Sequence, residues 1–283
     1  MTKKAIKIKN GLAVELDENE MAASVIFSPT AIGSITVPKY VEHESKKYLI
    51  IEITSFAFHR NSCIESITFP EDSSLKRIHD NAFIDSSLTS LSIPESLEDL
   101  SSQWSFGANL LTDIKVSPQN KRFIYVNGTF LLKKEKSGNN FDNLIFVRRN
   151  IEGEILVPKI VRFICESSFN NCRKVESVLF ENSSLQTIGG SAFIGCQCIQ
   201  KVGPVPKSVR YVGNECFEYL EKLESVEFLS SEIEFGLMCF WGCSSLFCIS
   251  FPNAKIVKIS KNSLKCVDEE IHLFFNCGAT VSE

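Results

Sequence analysis

The amino-acid sequence predicts a solenoid, a β-rich coil with short helical turns, rather than a globular fold built around one central site. Three observations predict it. A skeleton of spaced apolar residues ending in a phenylalanine returns about every 24 residues, and self-similarity at such a period marks stacked supersecondary units. Phenylalanine is the compositional outlier, with 22 copies against 3 methionines. The residue just before each repeat phenylalanine is always small.

The registers are read by anchoring on that phenylalanine. Anchors fall at Phe58, Phe83, Phe106, Phe169, Phe193, Phe217 and Phe240, with Leu264 in the same place at the end. Five residues earlier stands an apolar residue such as Ile53, Ile78, Ile164, Ile188 or Val212. The small column reads Ala57, Ala82, Ser105, Ser168, Ala192, Cys216, Cys239 and Ser263. A column restricted to small side chains predicts close backbone approach between neighbouring coils. After each anchor comes an L-x-x-L-x-L pattern, as in Ile64-x-x-Ile67-x-Phe69, Leu88-x-x-Leu91-x-Ile93 and Leu223-x-x-Val226-x-Phe228. This is the strand signature of a leucine-rich repeat, with the spaced apolar residues pointing into the coil. Pro70, Pro94, Pro118 and Pro252 close these strands, because proline cannot donate to a ladder.

Residues 1–50 stand outside the period. Their short alternating runs, with Asn10-Gly11 between the first two, read as an N-terminal β cap. Residues 51–121 form a first block of repeats. The interval from Phe106 to Phe169 exceeds two periods, and Asn127-Gly128 between apolar runs predicts a β-hairpin insertion over 122–158. Residues 159–283 form a second block with a partial C-terminal cap, all within one continuous solenoid domain.

Leu185-x-x-Ile188-x3-Ser191-Ala-Phe193-x-x-Cys196, and Ala57-Phe58 through Ile67-Thr-Phe-Pro70, resemble the BspA-like leucine-rich repeat family over nearly the whole chain. The resemblance implies a leucine-rich-repeat solenoid with its parallel sheet on the concave face. It also implies a non-catalytic module for protein binding or cell adhesion, of the surface-antigen type, whose partner is a protein of a host or matrix. Asn61 and Leu220 replace the repeat cysteine, Trp104 stands beside a shifted repeat, and Gly203-Pro-Val-Pro206 interrupts one strand.

The composition narrows the alternatives. A net charge of −4 argues against nucleic acid as a partner, since a basic face is needed to neutralise phosphates. No run reaches the roughly 18 apolar residues of a membrane-spanning helix. Lys133-Lys134 and Arg148-Arg149 are expected at solvated strand ends. The 11 cysteines follow the repeat rather than a disulfide framework: Cys172, Cys196 and Cys243 lie three residues after an anchor. Without a leader in the given chain, such cysteines favour a reducing, cytoplasmic compartment, whereas the resemblance implies the cell surface. Asn127 and Asn182 open glycosylation triplets. Cys196-x-Cys198 and Cys239-x3-Cys243 do not pair into a two-plus-two zinc set, and no phosphate loop, nucleophile elbow or metalloprotease motif is present. No cofactor, metal or catalytic residue is therefore expected; an intracellular scaffold ranks second, and an enzyme or zinc protein last.

The expected site is a surface. In L-x-x-L-x-L the residues flanking the middle apolar position face outward. They supply the candidate partner-binding set Ser66, Thr68, Ser90, Ser92, Asp113, Lys115, Ser177, Leu179, Lys201, Ser225, Glu227 and Ser250.

Overall fold

The computed structural model describes residues 3–181, 184–260, 262–263, 272–275 and 280–282. The chain forms two compact units, Met1–Gly138 and Asn139–Glu283. Both are β-solenoid, and the described residues contain almost no helix.

In the first unit, β1 (Lys3–Lys7), β2 (Ala13–Asp17), β3 (Ala22–Val25), β4 (Gly33–Thr36), β5 (Tyr40–His43) and β6 (Lys46–Ile53) precede the regular coils. The coils then use β7 (Ile64–Thr68), β8 (Arg77–Ile78), β9 (Ser90–Ile93), β10 (Asp99–Leu100) and β11 (Asp113–Val116). One sheet has the order β1-β2-β3-β6-β8-β10, with β5 paired to β6, and the other has the order β4-β7-β9-β11. The first three strands are antiparallel, and from β3 onward the coil pairings are parallel. The unit ends in β12 (Phe123–Val126) and β13 (Phe130–Lys134), an antiparallel hairpin turning at Asn127-Gly128, both with positive φ. That is the backbone demanded by a tight hairpin turn.

The second unit contains β14 (Phe141–Val147), β15 (Glu152–Val157), β16 (Phe163–Ile164), β17 (Lys174–Phe180), β18 (Thr187–Ile188), β19 (Lys201–Val205) and β20 (Tyr211–Val212). It continues with β21 (Ser225–Phe228), β22 (Glu232–Phe235), β23 (Cys248–Phe251), β24 (Ile256–Ile259), β25 (His272–Phe275) and β26 (Thr280–Ser282). Even-numbered strands from β14 to β26 line up in one parallel sheet and odd-numbered strands from β15 to β25 in the other. β14 and β15 therefore pair in parallel with β16 and β17 as ordinary coil strands. The Gly203-Pro204 break is absorbed within β19 as a bulge, with Val202 opposite Val226 and Val205 opposite Phe228. Both valines stay buried, so the core face survives the interruption.

Each coil runs from a short strand through a turn to the long strand. The Ala-Phe-x-x-Cys pieces are these turns. They close with bonds such as Asn61 N–H to Phe58 O and Cys196 N–H to Phe193 O, both 3.1 Å, and they also bond to each other. The anchor amide of one coil donates to the carbonyl of the small residue in the next: Phe58 to Ala82 at 2.8 Å, Phe169 to Ala192 at 2.9 Å, Phe193 to Cys216 at 3.0 Å, Phe217 to Cys239 at 2.8 Å. Backbones this close leave no room for a large side chain between them. The described small-column residues are all buried, as that requires.

The anchors stack behind the turns. Phe58 and Phe83 are 5.6 Å apart between ring centroids, Phe193 and Phe217 5.4 Å, Phe217 and Phe240 5.1 Å. One register differs from expectation. Phe106 is only half-buried, whereas Trp104 is fully buried and meets Phe83 edge-on at 6.2 Å. The Trp104 amide closes on Ser101 as the Ala57 amide closes on Thr54, so the turn has slid and the indole fills the space of the missing phenyl ring. Leu264 and Asn182 lie outside the described residues.

The cysteine column works through its thiols. Cys196 donates to Phe169 O and Cys243 to Phe217 O, each at 3.0 Å, so each thiol ties its turn to the preceding coil. Asn61 does this with an amide. Its Nδ2 donates to Ser28 O at 3.0 Å and Ala31 O at 2.9 Å, and its Oδ1 accepts from the amides of Cys63 and Ile64. Two of these bonds reach back to the cap and two stay within the turn that carries Asn61. Asn120 repeats the arrangement against Pro94 O and Leu97 O. Arg149 departs from its expected solvated position. It is 4% exposed, with its guanidinium 4.6 Å from the Phe146 ring centre and donating to Ser168 O at 3.0 Å.

Candidate protein-binding surface

The outward positions form registered columns because the strands are parallel and in register. In the first unit Ser66 faces Ser90 and Ser90 faces Asp113, while Ser92 faces Lys115. The inward partners Ile67, Leu91 and Ile114 are buried, which fixes the intervening side chains on the other face. Thr68 and Lys115 are exposed, and Ser66, Ser90, Ser92 and Asp113 are half-buried. In the second unit Ser177 faces Lys201, Lys201 faces Ser225, and Glu227 faces Ser250. Lys201 and Ser225 are exposed there, and Ser177, Leu179, Glu227 and Ser250 are half-buried. The twelve residues thus lie six to each unit, each set on one sheet.

Two strands extend these columns beyond the sequence-derived set. β4 places Ser34 opposite Ser66 and Thr36 opposite Thr68, and β15 places Glu154 opposite Ser177 and Leu156 opposite Leu179. The signal was available. Ser34-Ile-Thr-Val-Pro38 and Glu154-Ile-Leu-Val-Pro158 carry the same apolar alternation and closing proline as the repeat strands, without the anchor turn before them.

Neighbouring hydroxyls and carboxylates bond along the columns. Thr36 and Thr68 are 3.0 Å apart, Ser90 donates to Asp113 at 2.9 Å, and Ser177 donates to Glu154 at 3.2 Å. Lys115 lies 3.4 Å from Asp113. Near the strand ends of the first unit a groove of about 450 Å³ opens between the closing prolines Pro70, Pro94 and Pro118, with Ser92 and Lys115 on its wall. The Ser92 hydroxyl is buried there without a hydrogen-bond partner among the described residues. On the second unit's face, burial and then the charge of Glu227 push the Cys248 thiol up.

A cluster unmarked in the sequence lies on the first unit's other sheet. Ser24, Glu52 and Arg77 face one another across β3, β6 and β8. The Ser24 hydroxyl donates to Glu52 Oε1 at 2.8 Å, and His79 Nε2 lies 2.9 Å from Glu52 Oε2. Burial would raise the Glu52 carboxyl, but hydrogen bonds from His79 and Ser24 and the charges of His79 and Arg77 outweigh it and hold the carboxyl below its ordinary value. Serine, histidine and carboxylate meet, yet the serine bonds to the carboxylate and not to the imidazole. The histidine sits on the carboxylate's other oxygen, so the order differs from the serine–histidine–carboxylate relay in which the imidazole takes the serine proton. Among the described residues no group of three or more His, Cys, Asp or Glu could hold a metal ion, and no helix is long and apolar enough to cross a membrane.

Comparison with known proteins agrees with this architecture. A model of the BspA type leucine rich repeat region matches six copies over residues 23–127 and 139–269. The chain belongs to the BspA-type leucine-rich repeat family. Among solved structures it is similar to a leucine rich cell surface protein from Faecalibacterium prausnitzii A2-165, with 15% identity, coverage of 97% of this chain and 95% of that one, and a TM-score of 0.55. A leucine-rich repeat protein from Eubacterium ventriosum ATCC 27560 gives 15% identity, 93% and 82% coverage and a TM-score of 0.59. The pneumococcal vaccine antigen PcpA gives 18% identity, 97% and 86% coverage and a TM-score of 0.50. At such identities the likeness is one of fold. No curated protein matches the chain in sequence.

Proposed function

We propose that this chain is a non-catalytic protein-binding module that meets its partner through the outward faces of its long strands. The groove beside β9 and β11 carries this reading. It unites Ser92 and Lys115 of the candidate set with the closing prolines Pro70, Pro94 and Pro118 in one recess of about 450 Å³, large enough to admit side chains of a partner. Small hydroxyls elsewhere on the columns let a partner's backbone approach closely. Attachment to a protein of a host cell or matrix is the use that membership of the family supports, together with the likeness to a leucine rich cell surface protein and a vaccine antigen; an intracellular scaffold would use the same faces.

The test is site-specific photo-crosslinking in the native cells. A photoreactive residue at Ser92, Ser90 or Ser225 is expected to capture a protein that the same residue at Lys46 or Glu232, on the opposite sheets, does not. Equal capture from both sets of positions contradicts the assignment. Surface biotinylation of the same cells separates attachment from scaffolding.

A further inference from the structure

The strand faces present side chains; the first unit also presents unpaired main chain. β4 is the last strand of its sheet, with β7 its one neighbour among the described residues. The amides of Gly33 and Val37 donate toward β7, to Cys63 O at 2.8 Å and Thr68 O at 2.9 Å. The Ile32 amide points the other way and donates to Asn10 O, in the turn between β1 and β2, at 3.2 Å. Backbone groups alternate sides along a strand, so Ser34 and Thr36 turn theirs to the same side as Ile32. The Asn10 carbonyl fills the first position on that edge. The next two open into a groove of about 500 Å³, walled by Ile8, Leu12 and Val41 and lined by two charged side chains, Lys9 beside Asn10 and Glu42, which pairs with Lys47 at 3.5 Å.

We propose that this groove binds an extended peptide segment of a partner protein, which adds to β4 as a further strand by bonding to the main chain of Ser34 and Thr36. Strand addition to an exposed edge takes its affinity from backbone bonds and its specificity from pockets for alternate side chains. Ile8, Leu12 and Val41 call for apolar residues at alternate positions, and Lys9 for an acidic residue where the peptide passes it. The edge lies along the floor of a groove, not on an open rim. A strand held inside the sheet of a second copy cannot enter it, whereas a lone segment can. The site takes the main chain of Ser34 and Thr36 and none of the twelve strand-face residues proposed above, so peptide binding here and capture at Ser92, Ser90 or Ser225 fail separately.

The experiment uses the full chain with eight-residue peptides in which valine alternates with threonine, glutamate or lysine. Binding is followed by fluorescence anisotropy, and amide exchange is read by nuclear magnetic resonance at Ser34 and Thr36. The expected result is saturable binding, best for a peptide with glutamate at the Lys9 end, with slowed exchange at those two amides. Thr36→Pro removes an amide that β7 does not use, and proline is compatible with a sheet edge; it is expected to weaken binding about ten-fold or more. A peptide N-methylated at alternate residues tests the same bonds on the unaltered protein, and its loss of binding is expected whether or not Thr36→Pro folds. Binding by the N-methylated peptide, binding that slows exchange at Ser66 and Ser90 instead, the absence of binding by every peptide at millimolar concentration, or protection of both amides in a peptide-free dimer would each overturn the proposal.

Discussion

The amide of Phe193 donates to the carbonyl of Cys216 at 3.0 Å, tying the turn of one coil to that of the next. The bond explains two sequence columns together. The anchor needs a ring to fill the core behind the turn, and its neighbour must be small because a second backbone lies against it. Enlarging the small residue should therefore hurt although it adds apolar surface. Ala192→Leu is expected to destabilise the protein by about 1–3 kcal/mol through overpacking, and Phe193→Ala by about 3–5 kcal/mol through the cavity it leaves. Urea unfolding of the two variants checks both, with Ala192→Ser as a near-neutral comparison.

Asn61 joins the cap to the first coil through four hydrogen bonds from a side chain that is 3% exposed. Asn61→Ala leaves buried partners unsatisfied, at about 1–3 kcal/mol for each group that water cannot reach. Amide exchange in the variant is expected to accelerate first at Ala31 and Ile64. Asn61→Cys restores the repeat residue but only one donor, and is expected to recover only part of the loss.

Glu52 makes stability depend on pH in the acid range. Its carboxyl titrates lower in the folded chain than its ordinary value of 4.5. The contribution is therefore complete above that value and is lost as pH falls through the folded value. Glu52→Gln should flatten the fall in melting temperature below about pH 4.5 and change little of its slope above pH 6. His79→Asn should weaken the same acid-range dependence, because it removes the first hydrogen bond holding the carboxylate.

Thiol reactivity should follow the coil. Cys63 is exposed, whereas Cys196, Cys216, Cys239 and Cys243 are buried. Burial pushes the Cys239 thiol up to about 12 and holds Cys196 and Cys216 well above the ordinary thiol range. Cys172 is held lower. Its burial is opposed by the neighbouring Cys196 thiol and by Arg149, whose guanidinium lies 3.9 Å from its sulfur. Brief iodoacetamide treatment of the native protein, followed by peptide mass spectrometry, is expected to modify Cys63 and leave the buried set intact until denaturant is added.

Periodicity made the coil legible, since columns of Phe, small residues and L-x-x-L-x-L repeat in one dimension. What it could not reveal depends on contacts between coils or on backbone angles that any residue can be made to adopt. Phe56, Ser191, Glu215 and Met238 all take positive φ two residues before an anchor, yet nothing in their side chains announces it. The repeat around Phe106 reads as shifted in the sequence, but that Trp104 takes the place of Phe106 in the core does not, because the spacing names no ring. Arg149 looked like a solvated strand end because sequence cannot show the Phe146 ring and Ser168 carbonyl that surround it. The outward columns were readable where an anchor preceded the strand, and β4 and β15 were missed where none did. The serine, glutamate and histidine of the other sheet, far apart in sequence, meet only through register.

Protein binding by the long-strand faces, as proposed, is tested by two substitutions on one of them. Ser66→Arg with Ser90→Arg places two bulky cations on the first unit's face, at half-buried positions that pack nothing in the core. The double variant should unfold within about 1 kcal/mol of the parent and lose at least about ten-fold in affinity for the protein captured at Ser92. Undiminished affinity in a variant that folds normally would contradict the claim.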